Sequence, residues 1–457
     1  MVINIIGAGP GGIYAAYELA KNNYDNFEIN VFESGKELKD RKCPISEGKV
    51  NKCINCQSCS IMSGYGGSGA YSDGKVNITN DFGGTLFEKI GYDYSLLLQK
   101  RVDEINKFFY NKDDYPTLYS TSNNIDIRKK CLTNNLHLLN ADIRHLGTDK
   151  NYMILEKMYN YLLSNEVKFF FNTKINKVEK KENKWILNET YESDKLIIAT
   201  GRSGSKWLEN VCDDLGIQRK SNRVDLGVRV ELPYEVFSDL TDKLYESKIV
   251  YKTKQYEDLV RTFCMNPHGI VVNENTNGII TVNGHSYEDK IKHTNNTNFA
   301  LLVSKHFTEP FNNSNEYGES IARLSNMLGK GVIVQRFGDL IRCKRSTNAR
   351  LSSNTVIPTL KAEPGDLGLV LPHRILEDIK EMIYALNNIA PGTSNDDTLL
   401  YGVEVKFYNN EINVDNHLIA DENLYIIGDC SGITHSLSQA AASGLFVAED
   451  ILQNILE

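Results

Sequence analysis

The sequence predicts an α/β protein: a mostly parallel sheet sandwiched in a three-layer domain, interrupted by an inserted α+β region. Three observations point there. Residues 2–23 read as an apolar strand, a glycine turn and a helix. Residues 195–201 read as an apolar strand ending in Ala-Thr-Gly, and residues 424–444 as a strand, a Gly-Asp pair and a helix that opens with small residues. Strands that alternate with helices signal crossover-connected parallel sheets, and these three segments place both ends of the chain in one sheet.

At 457 residues the chain exceeds the roughly 250–300 at which a single core stops growing. Two domains are therefore expected, one discontinuous (1–205 and 400–457) and one inserted (206–399). Apolar residues at 41% and charged residues at 24% are ordinary for a folded globular protein and argue against disorder. The net charge of -8 comes without a long basic run, so nucleic acid is not an expected partner. No stretch approaches the ~20 consecutive apolar residues of a membrane helix, and the N-terminus lacks the charged lead-in of a signal peptide. A cytoplasmic protein with no membrane partner is the expectation; the sequence leaves oligomeric state open.

Taken in order, Val2 to Ile6 is the first strand, and the helix after it carries apolar residues at helical spacing. Glu28 to Phe32 completes a β-α-β unit. Residues 36–80, rich in Gly, Ser and Cys, form a long loop whose length calls for a function. From about 85 to 165 the pattern is mostly helical, with Tyr94 to Phe109 and Tyr152 to Leu163 the clearest segments. Strands follow at Val167 to Phe171, Trp185 to Leu187 and Lys195 to Ala199. The inserted region is mixed, with strand-like Leu226 to Glu231 and Gly278 to Val282, before a last strand, Leu424 to Ile427, and a helix from about Ser438 to Leu452.

Gly7, Gly9 and Gly12 form G-x-G-x-x-G between the first strand and its helix, where backbone amides and the positive helix end can hold a pyrophosphate. Glu33 ends the second strand, 21 residues after Gly12, where a carboxylate can accept ribose hydroxyls. The bland alternative is a tight strand-to-helix turn, but the motif has its full context, which makes the domain Rossmann-like. The motif alone does not separate FAD from NAD. Three later features resemble flavoproteins: the strand ending in Ala199, Thr200 and Gly201; Gly428 and Asp429 after the last strand; and a small-residue helix start at Gln439 and Ala440. The expected cofactor-binding set also takes in Pro10, Ser34, Arg41 and Ile175. No second glycine motif lies between a strand and a helix in 206–400, where Gly329 and Gly331 are only a fragment. A separate NAD(P)H domain is therefore not expected, although NAD(P)H stays open as an electron donor reaching the flavin from the substrate side.

Residues 63–75, SGYGGSGAYSDGK, pack five glycines, the last of them inside an Asp-Gly-Lys end, a density that lets backbone approach a planar ring or a phosphate. Gly66, Gly67, Asp73 and Lys75 join the expected cofactor set. This segment resembles a stretch of a microbial family of FAD-dependent dehydrogenases, or NAD(P)/FAD-dependent oxidoreductases. The resemblance continues through RHLGTD at 144–149, DLGVR at 225–229, RTFC at 261–264, Asn283-Gly284, Pro364-Gly-Asp366 and LLYGVE at 399–404. It covers nearly the whole chain and implies the fold and FAD, but no substrate.

Candidate catalytic groups are His145, His268 and His285, with His435 in a similar loop context, each able to donate a proton at a flavin or simply to serve as a polar loop residue. Arg345, with Arg342 and Arg350 beside it, is placed to clamp a substrate carboxylate or phosphate, or to be solvated. Cys264 reads as a redox thiol or a small core residue. Cys43, Cys53, Cys56 and Cys59, spaced C-x9-C-x2-C-x2-C, suit an iron-sulfur cluster or a zinc site, against reduced thiols or one disulfide. The reading that emerges is a hydride-transferring FAD-dependent dehydrogenase or reductase acting on a small molecule held between the two domains. Its alternatives are a flavin monooxygenase and a non-enzymatic flavin redox sensor or electron carrier that uses the cysteine loop.

Overall fold

The computed structural model describes residues 1–22, 27–45, 47–50, 54, 56, 58–276, 278–286 and 290–456. Two compact units emerge. One comprises residues 1–118, 141–220 and 409–457; the other comprises residues 119–140 and 221–408.

The first unit is organised by a six-stranded sheet in the order Ile419–Asp421, Leu424–Ile426, Lys195–Ile198, Val2–Ile6, Glu28–Phe32, Lys168–Phe170. Its pairings are parallel except at the Ile419–Asp421 edge. The central strands are continuous apolar runs because both of their faces are covered. Helices Pro10–Lys21 and Leu437–Leu456 pack against each other so closely that a Cβ on Gly444 would stand 2.2 Å from the Gly11 carbonyl oxygen. A three-stranded antiparallel sheet, Val178–Lys181, Lys184–Leu187 and Tyr191–Ser193, contributes Val178, Trp185 and Leu187 to the same core. Helices Tyr92–Tyr110 and Thr148–Ser164 add to this unit.

In the second unit an eight-stranded sheet runs Glu363–Pro364, Ile333–Arg336, Leu399–Phe407, Val224–Pro233, Asn296–Lys305, Leu259–Pro267, Ile249–Lys252, Leu136–Leu138. Along Val224–Pro233 every second side chain, Leu226, Val228, Val230 and Leu232, enters an apolar core with helices Tyr234–Leu244 and His373–Asn387. The alternate side chains, Asp225, Arg229 and Glu231, are charged and buried. The strand Leu136–Leu138, paired with Ile249–Lys252, carries residues 119–140 into this unit. The stretch 85–165, mostly helical in its sequence pattern, is thus divided between the units. A three-residue strand offers too short an alternation to stand out beside neighbouring helical patterns. Among the described residues no helix is long and apolar enough to cross a membrane.

Candidate functional site

The site in the first unit begins at the glycine turn. A Cβ on Gly12 would lie 2.0 Å from the Gly7 carbonyl oxygen, and one on Gly7, which has φ +104°, would lie 2.4 Å from the Ala199 oxygen. The fold itself requires these two glycines. Gly9 differs: its backbone is extended at φ -82°, and a Cβ there would meet nothing within 4 Å. The protein's own packing gives no reason for glycine at this position, whereas close approach of a pyrophosphate does. Open space also surrounds the Cβ directions of Gly201 and Gly428.

The glycine-rich segment lies directly against this turn. The Gly66 amide donates to the Ala8 carbonyl at 2.8 Å, and a Cβ on Gly67 would sit 3.1 Å from the Gly9 Cα. Glu33 joins these loops. Its Oε2 accepts from the Ala8 amide at 2.9 Å, and its Oε1 accepts from the amides of Gly35 at 2.8 Å and Gly64 at 3.0 Å and from the Ser34 hydroxyl at 3.3 Å. Most of the carboxylate's acceptor capacity therefore organises backbone, with Oε2 retaining room for one further donor. Beside it, Lys36, Glu37, Asp40, Lys42, Phe171 and Asn172 line a polar groove of about 430 Å³. That groove opens at strand carboxyl ends, where open α/β sheets receive ligands.

Arg41 plays a part that sequence reasoning missed. It is buried and donates to the carbonyls of Ser60 at 2.9 Å, Ile61 at 2.8 Å and Tyr65 at 2.6 Å, with its guanidinium 5.0 Å from the Tyr71 ring centre. It clamps the loop 60–65. Ile175 is a core residue. Gln439 donates through Nε2 to the carbonyls of Thr79 and Phe82, both at 3.1 Å, and the Ala440 carbonyl packs near Gly11.

Asp429 is recessed after the last strand, with the Thr434 hydroxyl donating to Oδ1 at 3.1 Å and Arg202 Nε 3.5 Å from Oδ2. Burial pushes its carboxyl up to about 6, against the lowering effect of Arg202 and Thr434. Such a carboxylate has acceptor positions to spare for ligand hydroxyls. Gly9, Gly201 and Gly428 leave room, and Glu33 and Asp429 offer acceptors, so the residues present fit FAD.

A charged cluster stands on the paired strands Lys75–Ile78 and Asp142–His145, where Lys75 and His145 are opposite one another. Lys75 Nζ is 3.2 Å and His145 Nε2 3.7 Å from Asp73 Oδ2. Burial raises the Asp73 pKa, but Lys75 and His145 outweigh it and hold the carboxyl well below its ordinary range. The Asn77 amide in the same strand donates to Ser438 Oγ at 2.8 Å, tying the cluster's strand to the helix that follows Asp429.

Of the other candidates, His435 lies in the first unit, where its amide donates to the Gly83 carbonyl at 2.8 Å, and His268, His285 and Arg345 lie in the second. His268 stacks on Tyr234 at 3.7 Å and near His293 at 5.0 Å. His285 ends the hairpin strand Ile279–His285. Arg345 has a side chain 66% exposed and reaches Glu363 at 3.9 Å. Arg342 pairs with Asp396 at 2.6 Å and Arg350 with Asp339 at 2.8 Å. Cys264 lends its carbonyl to Arg229 at 3.0 Å. Cys56 and Cys59 are exposed thiols, Cys43 is half-buried, and Cys53 lies outside the described residues. Among the described residues no group of three or more His, Cys, Asp or Glu side chains could hold a metal. The spacing in sequence is thus not matched by convergence of the three described thiols with other ligands.

Residues 1–225 match the family Pyridine nucleotide-disulphide oxidoreductase, and residues 224–407 match FAD-dependent protein, C-terminal domain-like. Together the two matches span residues 1–407, and the protein is an FAD-dependent oxidoreductase, an enzyme. It is 24% identical to an uncharacterized protein of Clostridium beijerinckii over 98% of this chain and 80% of that one. Among solved structures, glycine oxidase from Geobacillus kaustophilus is similar at 10% identity and a TM-score of 0.40, over 99% of this chain and 94% of that one. CtdE in complex with FAD and substrate 4 is similar at 10% identity and a TM-score of 0.37, over 100% and 81% of the respective chains.

Proposed function

We propose that the protein is an FAD-dependent dehydrogenase or reductase that exchanges a hydride with a small organic molecule, with His145 as its proton-handling side chain. One observation carries this reading: Lys75 and His145 meet on a single Asp73 carboxylate, on a strand hydrogen-bonded to the helix after Asp429. Bound FAD supplies the two-electron chemistry. Gly9, Gly428 and the amides of the glycine turn would receive it, and Glu33 and Asp429 would offer acceptors to its hydroxyl groups. Asp73 orients the His145 ring, while Lys75 keeps Asp73 ionised, so that His145 would be held ready to give or take a proton at the substrate. NAD(P)H is the proposed electron donor in the reducing direction.

Anaerobic mixing of the FAD-loaded protein with NADH, NADPH and a metabolite panel tests this through loss of the oxidised flavin absorbance. At least one donor should bleach it, and His145→Gln should slow the reaction by about 10²-fold or more with FAD content unchanged. Failure of every donor on a protein that dithionite reduces, or full activity in His145→Gln, overturns the proposal. Hydroxylated product formed with oxygen consumption would support a monooxygenase instead.

A further inference from the structure

Helix His373–Asn387 in the second unit holds, with two of its acids, the turn that joins strands Ile249–Lys252 and Leu259–Pro267. Glu381 accepts from the Lys254 amide at 2.7 Å and the Gln255 amide at 3.1 Å. Asp378 accepts from the Thr253 hydroxyl at 2.8 Å through Oδ1. The turn closes on itself through the same threonine: its amide donates to the Asp258 carbonyl at 2.9 Å, and the Asp258 amide donates to its Oγ1 at 3.1 Å.

This closure brings a second carboxyl group, Asp258, into hydrogen-bond contact with Asp378. The two are served unequally. Arg374 forks onto Asp258, with Nε 2.6 Å from Oδ2 and Nη2 2.9 Å from Oδ1, and Lys305 bonds Oδ2 as well. Neither cation bonds Asp378. That residue is wholly buried, and its Oδ2 is closed off from solvent with no hydrogen-bond donor among the described residues. An ionised carboxylate with one oxygen stranded beside a second carboxylate is costly, whereas a proton turns that oxygen into a donor and its neighbour into the acceptor.

We infer that Asp378 and Asp258 form a proton-controlled latch: one proton held between them fastens the turn 253–258 to helix His373–Asn387, and its loss loosens the turn. The latch is built entirely within the second unit. Burial, joined by the Asp258 charge, raises the Asp378 carboxyl from 3.8 to about 6 against the lowering effect of Thr253 and Lys305. For Asp258 burial also acts upward, but Arg374, Lys305 and the Asp378 proton outweigh it and hold that carboxyl down. A raised Asp378 keeps its proton more tightly in the fastened turn than in a released one. The proton's support is therefore full below about pH 4, fades as the pH rises, and is gone above about 6.

The other charged side chains of this contact are engaged elsewhere. Glu257 pairs with Lys252 at 2.5 Å, and Glu377 with Lys380 at 2.7 Å and His373 at 3.9 Å. Glu381 serves the turn amides and stands 3.5 Å from the Tyr251 hydroxyl, while Lys254 and His306 are exposed. The strand Val224–Pro233 presents apolar side chains to the helix.

Amide hydrogen exchange of the full chain between pH 5 and 7, corrected for the intrinsic pH dependence of exchange, tests the latch. In wild type, protection of the Lys254 and Gln255 amides should fall by about tenfold over this range. In Asp378→Asn, whose side-chain amide can donate to Asp258 as the protonated acid does, protection should not change with pH. If that variant does not fold, Asp378→Ala takes its place, since Asp258 keeps Arg374 and Lys305; weaker protection, independent of pH, is then expected. Protection that is flat or rises with pH in wild type, or that falls as much in the substituted protein, overturns the inference.

Discussion

Gly12 and Gly9 sit three positions apart in one motif and answer to different demands. At Gly12 a side chain collides with backbone, at 2.0 Å from the Gly7 oxygen, whereas at Gly9 it enters open space. Gly12→Val should therefore yield little folded protein, and Gly9→Val should keep the wild-type circular dichroism and a melting temperature within a few degrees. Equal loss of folding in both would remove the distinction. Asp429 gives a second residue-scale prediction. Its carboxyl is raised from 3.8 to about 6 by burial, so the folded chain holds that proton more tightly than the unfolded chain. The resulting penalty is absent below pH 3.8, grows between about 4 and 6, and is complete above 6; two pKa units correspond to about 3 kcal/mol. In FAD-free protein, Asp429→Asn should thus gain stability over wild type as pH rises from 4 to 7, read by urea unfolding. A difference that is flat with pH contradicts the burial argument.

Elements divide into those that reveal themselves locally and those that depend on distant pairing. The strand Val2–Ile6, the glycine turn and the helix Pro10–Lys21 were legible because each is specified by residues within a few positions of its neighbours. The Asp73, Lys75 and His145 cluster was not, although all three residues stood out singly, because Lys75 and His145 become neighbours only when two strands 70 positions apart pair. The structural part of Arg41 was hidden for a related reason: a cation near a nucleotide fold suggests a ligand, whereas the partners it has in the chain are three loop carbonyls that no pattern announces. The alternation of Asp225, Arg229 and Glu231 with Leu226, Val228 and Val230 was a visible signal of a sheet with one apolar and one charged face. Within that face the Arg229 and Glu404 side chains are both fully buried and paired. Glu404→Gln should cost about 3–5 kcal/mol by chemical denaturation, since it strands a buried guanidinium, while replacing both by Met and Leu should cost much less. Equal losses would show that packing rather than charge dominates there.

At the scale of the molecule, the chain places its dinucleotide motif and its Gly428-Asp429 turn, some 420 positions apart, in adjoining parts of one sheet, with an entire second unit between them in sequence. The connection is topological: Leu424–Ile426 lies beside Lys195–Ile198, which lies beside Val2–Ile6. The cysteine loop illustrates the opposite case: among the described residues its thiols do not converge with other ligands on a metal centre. Cys56 and Cys59 are exposed, and both should react with an alkylating reagent in native protein, with iron and zinc well below one per chain. Protection of these thiols together with stoichiometric metal would restore the metal reading. The account as a whole rests on FAD held at the open glycine turn. Heat-denaturing purified protein and separating the released flavin by chromatography tests this most directly. Wild type, reconstituted if necessary, should release about one FAD per chain, and folded Gly9→Val almost none; release of FMN, or as much FAD from Gly9→Val as from wild type, would contradict it.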